Sequence, residues 1–253
     1  MASSPIQDDS LIRADRMWHL KRSSLVGDVS DQEIEAIAEA CTDQIYPRGA
    51  QIFQEGDPVR YLYILNRGYV QLSVGKEAPR QKVLRILKGG EVFGEEILGR
   101  QTAHQATATA YRECWASLLP REKLLELIRF RPALSLNLIR ILTHKLWEAR
   151  TDLQDGALDA RQRVAKTLLR LGDLHGQPIY SEKRLRKLSI PISHRRLAAI
   201  IGGCRPHISA ILSEFKKSGM LEYQGRKMLL DMESLRQSLQ GEQPEPLTAN
   251  RSA

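Results

Sequence analysis

The sequence predicts an α+β chain built from an N-terminal β jelly roll, one long central helix and a C-terminal winged helix-turn-helix. Three observations predict it. Between Tyr46 and Pro120 short β-rich runs alternate with turn glycines, the pattern of a sandwich or jelly roll. After Pro120 glycine disappears until Gly156, and apolar residues recur at helical spacing. From Asp159 onward two helical patterns flank Gly202-Gly203 inside a basic block, which is the layout of a helix-turn-helix. The 253 residues, 42% of them hydrophobic, suffice to bury cores without metal or disulfide staples.

Residues 1–25 are polar and have little periodicity, so a flexible N-terminal segment is expected, with Met17-Trp18-His19-Leu20 as its one stretch of docking character. Ser30-Asp31-Gln32-Glu33 is a capping box, and it opens a helix with apolar positions at Ile34, Ile37, Ala38 and Cys41. Within the jelly-roll domain, placed at 26–130, strands are expected at Ala50–Phe53, Tyr61–Leu65, Tyr69–Val74 and Lys82–Leu87. Turns separate them at Glu55–Pro58, Asn66–Gly68, Gly75 and Gly89-Gly90.

The central segment, 131–156, carries Ile139, Leu142, Leu146, Ala149 and Leu153 at spacings of 3, 4, 3 and 4. That period of 3.5 marks a coiled-coil seam more than one face of a core helix. A helix from Pro132 to Asp155 would be about 36 Å long, which suits a dimer axis, and Asp155-Gly156 makes a hinge.

The last domain is placed at 157–238, with a disordered tail at 239–253. Val164, Leu168, Leu169 and Leu171 form an apolar stripe ending at Gly172, and Leu188–Ile192 reads as a short strand. Ser193 caps a helix over Arg195–Ile201, and a second helix covers Pro206–Lys217, where proline costs no hydrogen bond in the first turn. Leu197, Ile200, Ile201, Ile208, Ile211 and Leu212 lock the two together, with Ala198 and Gly202 small where they cross. Gly219–Leu230 reads as strand, basic turn, strand: a wing.

Charge singles out the same region. The chain carries a net +8, yet Ala160–Arg236 holds 16 Lys+Arg against 6 Asp+Glu, a net +10, leaving −2 elsewhere. A basic block alone is compatible with a merely solvated surface; with the helix-turn-helix and wing it points to double-stranded DNA. Arg205 can reach O6 and N7 of guanine bidentately, and Arg226 and Lys227 can reach phosphates. The expected DNA-facing set is Ser193, His194, Arg205, His207, Ser209, Lys216, Arg226 and Lys227.

Several classes are excluded. No run approaches the roughly 20 apolar residues that cross a bilayer, and the N-terminus lacks a secretory pattern. Cys41, Cys114 and Cys204 are too far apart for a metal knuckle and odd in number, which suits reduced thiols in a cytoplasmic protein; Cys204 is expected as a small buried packing residue. No phosphate loop, His-Glu-x-x-His or Gly-x-Ser-x-Gly is present. Glu95-Glu96 would point to opposite faces of an extended chain, so no enzyme is expected.

Three stretches resemble the Crp/Fnr-type transcription regulators, and the resemblance covers about residues 30 to 237. Tyr61–Leu72 resembles the first hairpin of that family's effector domain, and Gly89-Gly-Glu-Val-Phe-Gly-Glu-Glu-Ile-Leu-Gly99 the opening of its ligand cassette. Ile200–Leu212 with Lys217–Leu221 resembles its recognition helix and wing. The resemblance implies a jelly-roll sensor, a dimerisation helix, a pseudo-palindromic DNA site and RNA polymerase as a partner. It also implies an effector set of Gly94, Glu95, Glu96, His104, Gln105 and Arg150.

The departures bear on the effector. Where cyclic-AMP-binding members carry Arg-Ser this chain has His104-Gln105, and the family's purine-reading Thr-Ser falls near Ala149-Arg150. Cyclic AMP is therefore disfavoured, while Arg150 keeps another nucleotide such as a cyclic dinucleotide open. An iron–sulfur cluster is not expected, because no cysteine precedes Cys41. Haem stays open through His19, His104, His144 or Cys114, and so does a member active without any effector. An effector-binding module acting through a protein partner is the remaining alternative. On the recognition helix, Arg205-Pro206 and Ser209-Ala210 replace the usual Arg-Glu and second Arg, so an unusual half-site is expected.

Overall fold

The structure is a computed structural model that describes residues 9–75, 81–100, 102–156, 158–179 and 182–240. It divides into two compact units, 1–148 and 149–253. Among the described residues of the first, eight strands form two antiparallel sheets. One orders β1 (Thr42–Tyr46), β8 (Cys114–Pro120), β3 (Tyr61–Arg67) and β6 (Val92–Phe93) side by side; the other orders β2 (Gln51–Phe53), β7 (Thr107–Ala110), β4 (Tyr69–Val74) and β5 (Lys82–Lys88). The expected strands are present, and β3 runs on to Arg67, which pairs with Trp115 of β8 past an irregularity at Asn66, whose Nδ2 donates to Ser117 Oγ at 2.7 Å.

Strand β3 shows why this sheet sits where it does. Successive side chains alternate between faces. Tyr63 and Leu65 enter the space between the sheets with Phe53, Val70, Leu87, Phe93 and Ala108. Leu62 and Ile64 face the other way, into a helical layer with Leu25, Ile37, Leu124, Leu134 and Leu138. That layer comprises α1 (Asp9–Leu20), α2 (Asp31–Ala40), α3 (Arg121–Phe130) and the start of α4 (Pro132–Asp155).

Helix α1 corrects the expectation of a flexible stretch to residue 25; residues 1–8 lie outside the described residues. Leu20 and Leu25 are fully buried. Arg16 clamps the helix down, its Nε on Asp43 at 2.7 Å and its Nη1 on the carbonyls of Ala38 and Cys41. These partners lie some 25 residues downstream, so no local pattern announces them. The Ser30–Glu33 capping box forms as read. Helix α4 has the expected ends, and Ile139, Leu142, Leu146, Ala149 and Leu153 are all exposed.

The second unit packs α5 (Ala160–His175), α6 (His194–Ile201), α7 (Arg205–Lys217) and α8 (Met232–Gln240) with a four-stranded antiparallel sheet. Its order is β11 (Leu221–Gln224), β12 (Lys227–Asp231), β10 (Glu182–Leu188), β9 (Gly176–Ile179). Three local readings change. Helix α5 continues past Gly172, which is buried so close to Met232 that a Cβ there would meet its sulfur at 2.5 Å. The strand before the helix-turn-helix ends at Leu188 rather than starting there. Ile190 and Ile192 are still buried, but Pro191 between them has no N–H for a ladder. Residues 239–240 belong to α8, so the tail is not disordered from 239; 241–253 lie outside the described residues.

Candidate functional site

Two places in the fold gather the residues singled out above. The first is α6, α7 and the wing. Ser193 caps α6, its Oγ accepting from Arg196 N–H. Leu197 and Ala198 are buried against Ile208, Ile211, Leu212 and Phe215, while Ile200 and Ile201 are only half-buried. Gly202 was expected to be small for packing. Its φ is +75° and a Cβ would meet nothing within 4 Å, so glycine is needed for the left-handed turn instead. Cys204 also departs from expectation: it is exposed, at the N-cap of α7.

The buried stripe of α7 leaves the rest of its first turns outward. Arg205, Pro206, His207 and Ala210 are exposed, and Ser209 is half-buried. Arg226 is exposed in the β11–β12 turn, Lys227 half-buried beside it, and Lys216 exposed with its ammonium 6.0 Å from the Tyr223 ring. His194 differs from the others. Its Nδ1 lies 2.9 Å from Ser209 Oγ and its Nε2 2.8 Å from the Tyr223 hydroxyl, so the ring is engaged inside the protein. Burial pushes the Tyr223 phenol up from its ordinary value, which keeps it protonated. Tyr223 was missed from the sequence because an aromatic residue in a wing has no pattern separating a core ring from a hydrogen-bonding one.

The second place is the sandwich interior, and it is filled with rings. His104 is buried and stacks on Phe53 with centroids 3.5 Å apart and planes 6° from parallel. Phe93 lies 4.8 Å from Tyr63 and 6.0 Å from Phe53. Glu96 Oε2 faces His104 Nδ1 at 3.7 Å, and neither atom has a hydrogen-bond partner. Burial alone would push the Glu96 carboxyl up; the facing imidazole and backbone amides outweigh it and hold it below the usual carboxylate range. Gly94 turns the chain with φ +79°, and a Cβ there would lie 2.8 Å from the Tyr61 carbonyl.

Glu95 and Glu96 lie in a 3₁₀ turn, Glu95–Leu98, not on extended chain. They still diverge: Glu95 pairs with Lys145 of α4 at 2.7 Å while Glu96 faces His104. Lys145 also donates to the Val92 carbonyl at 2.9 Å. Close by, Arg85 on β5 pairs with Glu91 at 2.6 Å and with Glu148 of α4. Lys145, Arg85 and Glu148 were invisible in the sequence, since a charged residue flanking a helix stripe reads as solvated. Gln105 is exposed and donates to the Ala103 carbonyl at 3.2 Å, and Arg150 is exposed on α4. Gly94, Glu96 and His104 thus come together, while Glu95 turns to Lys145.

The other haem candidates show local packing roles. His19 sits edge-on to Trp115, centroids 4.9 Å apart, and His144 Nδ1 lies 3.4 Å from Glu148. Burial and Glu113 push the Cys114 thiol up to about 11, and burial pushes Cys41 to about 12, away from the thiolate a metal or oxidant needs. Among the described residues no group of three or more His, Cys, Asp or Glu is poised for a metal. No described helix is long and apolar enough to cross a membrane.

Comparison with known proteins places names beside this geometry. Residues 43–129 match a family described as the cyclic nucleotide-binding domain, and residues 162–238 match the Crp-like helix-turn-helix domain. The chain is 30% identical to the Cyclic AMP receptor protein of Thermus thermophilus over 203 residues, 80% of this chain and 89% of that one. It is 29% identical to a CRP-like cAMP-activated global transcriptional regulator of Mycobacterium tuberculosis, over 83% of this chain and 93% of the relative. Among solved structures, a CooA mutant from Carboxydothermus hydrogenoformans superposes with a TM-score of 0.69 at 21% identity, covering 88% of this chain and 95% of CooA.

Proposed function

Because the chain belongs to the Crp/Fnr family of transcription regulators, we propose that it is a homodimer that reads a pseudo-palindromic duplex through α7 and does not take cyclic AMP as its signal. The working division is a sensor at 26–130, a dimerisation helix at 131–156 and a DNA-binding domain at 157–238, with RNA polymerase as the expected protein partner in the cytoplasm. The observation that carries the reading is the exposed first turn of α7. Arg205 and His207 stand outward there, over a buried stripe that fixes the helix, with Arg226 exposed on the wing. Two such helices across a two-fold axis enter successive major grooves about 34 Å apart.

Binding to matched and random duplexes tests it. Arg205→Ala is expected to cost about 1–3 kcal/mol on the matched site and to relax preference at one base pair per half-site. Lys227→Ala is expected to weaken matched and random duplexes alike, because a phosphate contact carries no sequence information. Equal losses on both duplexes from both variants would defeat the assignment.

Two of the compared relatives are named for cyclic AMP, yet the cassette argues against that nucleotide here. A guanidinium on a cyclic phosphate is a charge-assisted contact worth about 1.5–3 kcal/mol. His104 stands at that position, already stacked on Phe53, and the Glu95 carboxylate is engaged by Lys145. Calorimetric titration with cyclic AMP is expected to give no saturable heat at micromolar ligand, and a tight isotherm would overturn this. The ring-filled interior favours a member that is active without an added effector. That reading predicts gel shifts of the matched duplex by protein freed of small molecules.

A further inference from the structure

We propose that His194 is a positioning residue that sets the hydrogen-bond polarity Ser209 presents to a base, by linking that hydroxyl to the wing through its ring. The inference deepens the reading of α7 as the DNA-reading helix and rests on it. Its basis is a chain of three side chains from three elements: Ser209 on α7, His194 on α6 and Tyr223 on β11. They are joined at 2.9 Å through Nδ1 and 2.8 Å through Nε2. Both ring nitrogens are thereby used within the protein, so His194 acts on DNA through its neighbours and not as a contact.

The consequence follows from counting hydrogens. A neutral imidazole offers one N–H and one bare nitrogen, and each hydroxyl brings one hydrogen. One hydroxyl therefore donates to the ring and the other accepts from it, and only the accepting one keeps its hydrogen for an outside group. Of the two hydroxyls the Tyr223 phenol is the more acidic and the better donor, so it is the one that gives its hydrogen to the ring, at Nε2. With its hydrogen given to Nε2, the ring proton sits on Nδ1 and is donated to Ser209 Oγ.

The Ser209 hydrogen is then free on the half-buried flank of α7 that Ser209 shares with exposed Arg205, one turn before it. In a major groove such a donor suits N7 or O6 of guanine or O4 of thymine, and mismatches the cytosine amino group. In the opposite tautomer Ser209 would hold only lone pairs outward and the preference would invert. The wing thus determines what the recognition helix can ask of a base, although Tyr223 itself need not touch one.

Selection of bound duplexes from a library randomised in the half-site, with competition binding, tests this on the full-length protein. Wild type is expected to prefer an acceptor at the base pair beside Ser209 as well as guanine at the Arg205 position. Tyr223→Phe and His194→Phe should each flatten the first preference about fivefold, the worth of one net hydrogen bond, while retaining the guanine. Combining His194→Phe with Ser209→Ala should flatten it no further than either alone. A merely structural histidine would weaken all positions together and lower the melting temperature, and that result overturns the proposal. Unchanged selectivity in Tyr223→Phe overturns it as well. If wild type selects no sequence at all, the assignment of α7 falls along with it; loss of the proposal alone leaves the guanine preference standing.

Discussion

Leu146→Glu is expected to leave the protein folded, monomeric at micromolar concentration and at least about 100-fold weaker on a two-half-site duplex. Leu146 is 53% exposed, so a charge there can reach solvent. It lies at the middle of a stripe in which Ile139 is 58% and Leu153 81% exposed, far more apolar surface on one helix than a solitary chain normally presents. Pairing two such helices would bring the two glutamates into one seam, and burying like charges without partners costs several kcal/mol. The loss on DNA follows from valency: a linked second half-site raises the apparent affinity by roughly 10²–10⁴, and a monomer forfeits it. Sedimentation velocity and gel shift on full and half sites measure both effects. A Leu146→Glu variant that sediments as a dimer would refute the α4 seam.

Phe93→Ala is the second large expected effect. Phe93 is fully buried between the two sheets, against Tyr63 and Phe53. Removing a buried ring costs about 3–5 kcal/mol, part of it for the cavity left behind. In a unit of this size that corresponds to a fall in melting temperature of roughly 8–15 °C. Urea unfolding followed by tryptophan fluorescence, with Trp18, Trp115 and Trp147 all in the first unit, measures it. A loss below about 1 kcal/mol would mean that the rings yield easily and that the interior opens at little cost. The same variant therefore gauges how strongly the sensor resists a ligand.

The architecture was legible because its signals are local and periodic. Glycine punctuation marked the strands, a 3.5-residue repeat marked α4, and Ser193 with Gly202 marked the ends of α6. The exposed turn holding Arg205 and His207 was legible for the same reason, since a buried stripe at Ile208, Ile211 and Leu212 leaves only one outward face. What escaped the sequence depends on distant partners. Helix α1 is held by Arg16 reaching Asp43. The run Glu182–Leu188 is heavily charged and shows no alternation, its buried Leu185 and Leu188 standing three residues apart. Glu95 was read as free for a ligand because Lys145 lies fifty residues away, and His194 was read as a DNA contact because neither Ser209 nor Tyr223 is near it in the chain. Cys204 misled through composition: cysteines are usually buried, but an N-cap position faces outward.

Strand β3 is a party wall. With Tyr63 and Leu65 wedged among rings on one side and Leu62 and Ile64 keyed into the helices on the other, it has no slack on either. Protein interiors are packed too tightly to absorb added volume locally. A molecule forced among those rings would have to shove the strand outward, and the thrust would arrive at Leu134 and Leu138, the footing of the long helix.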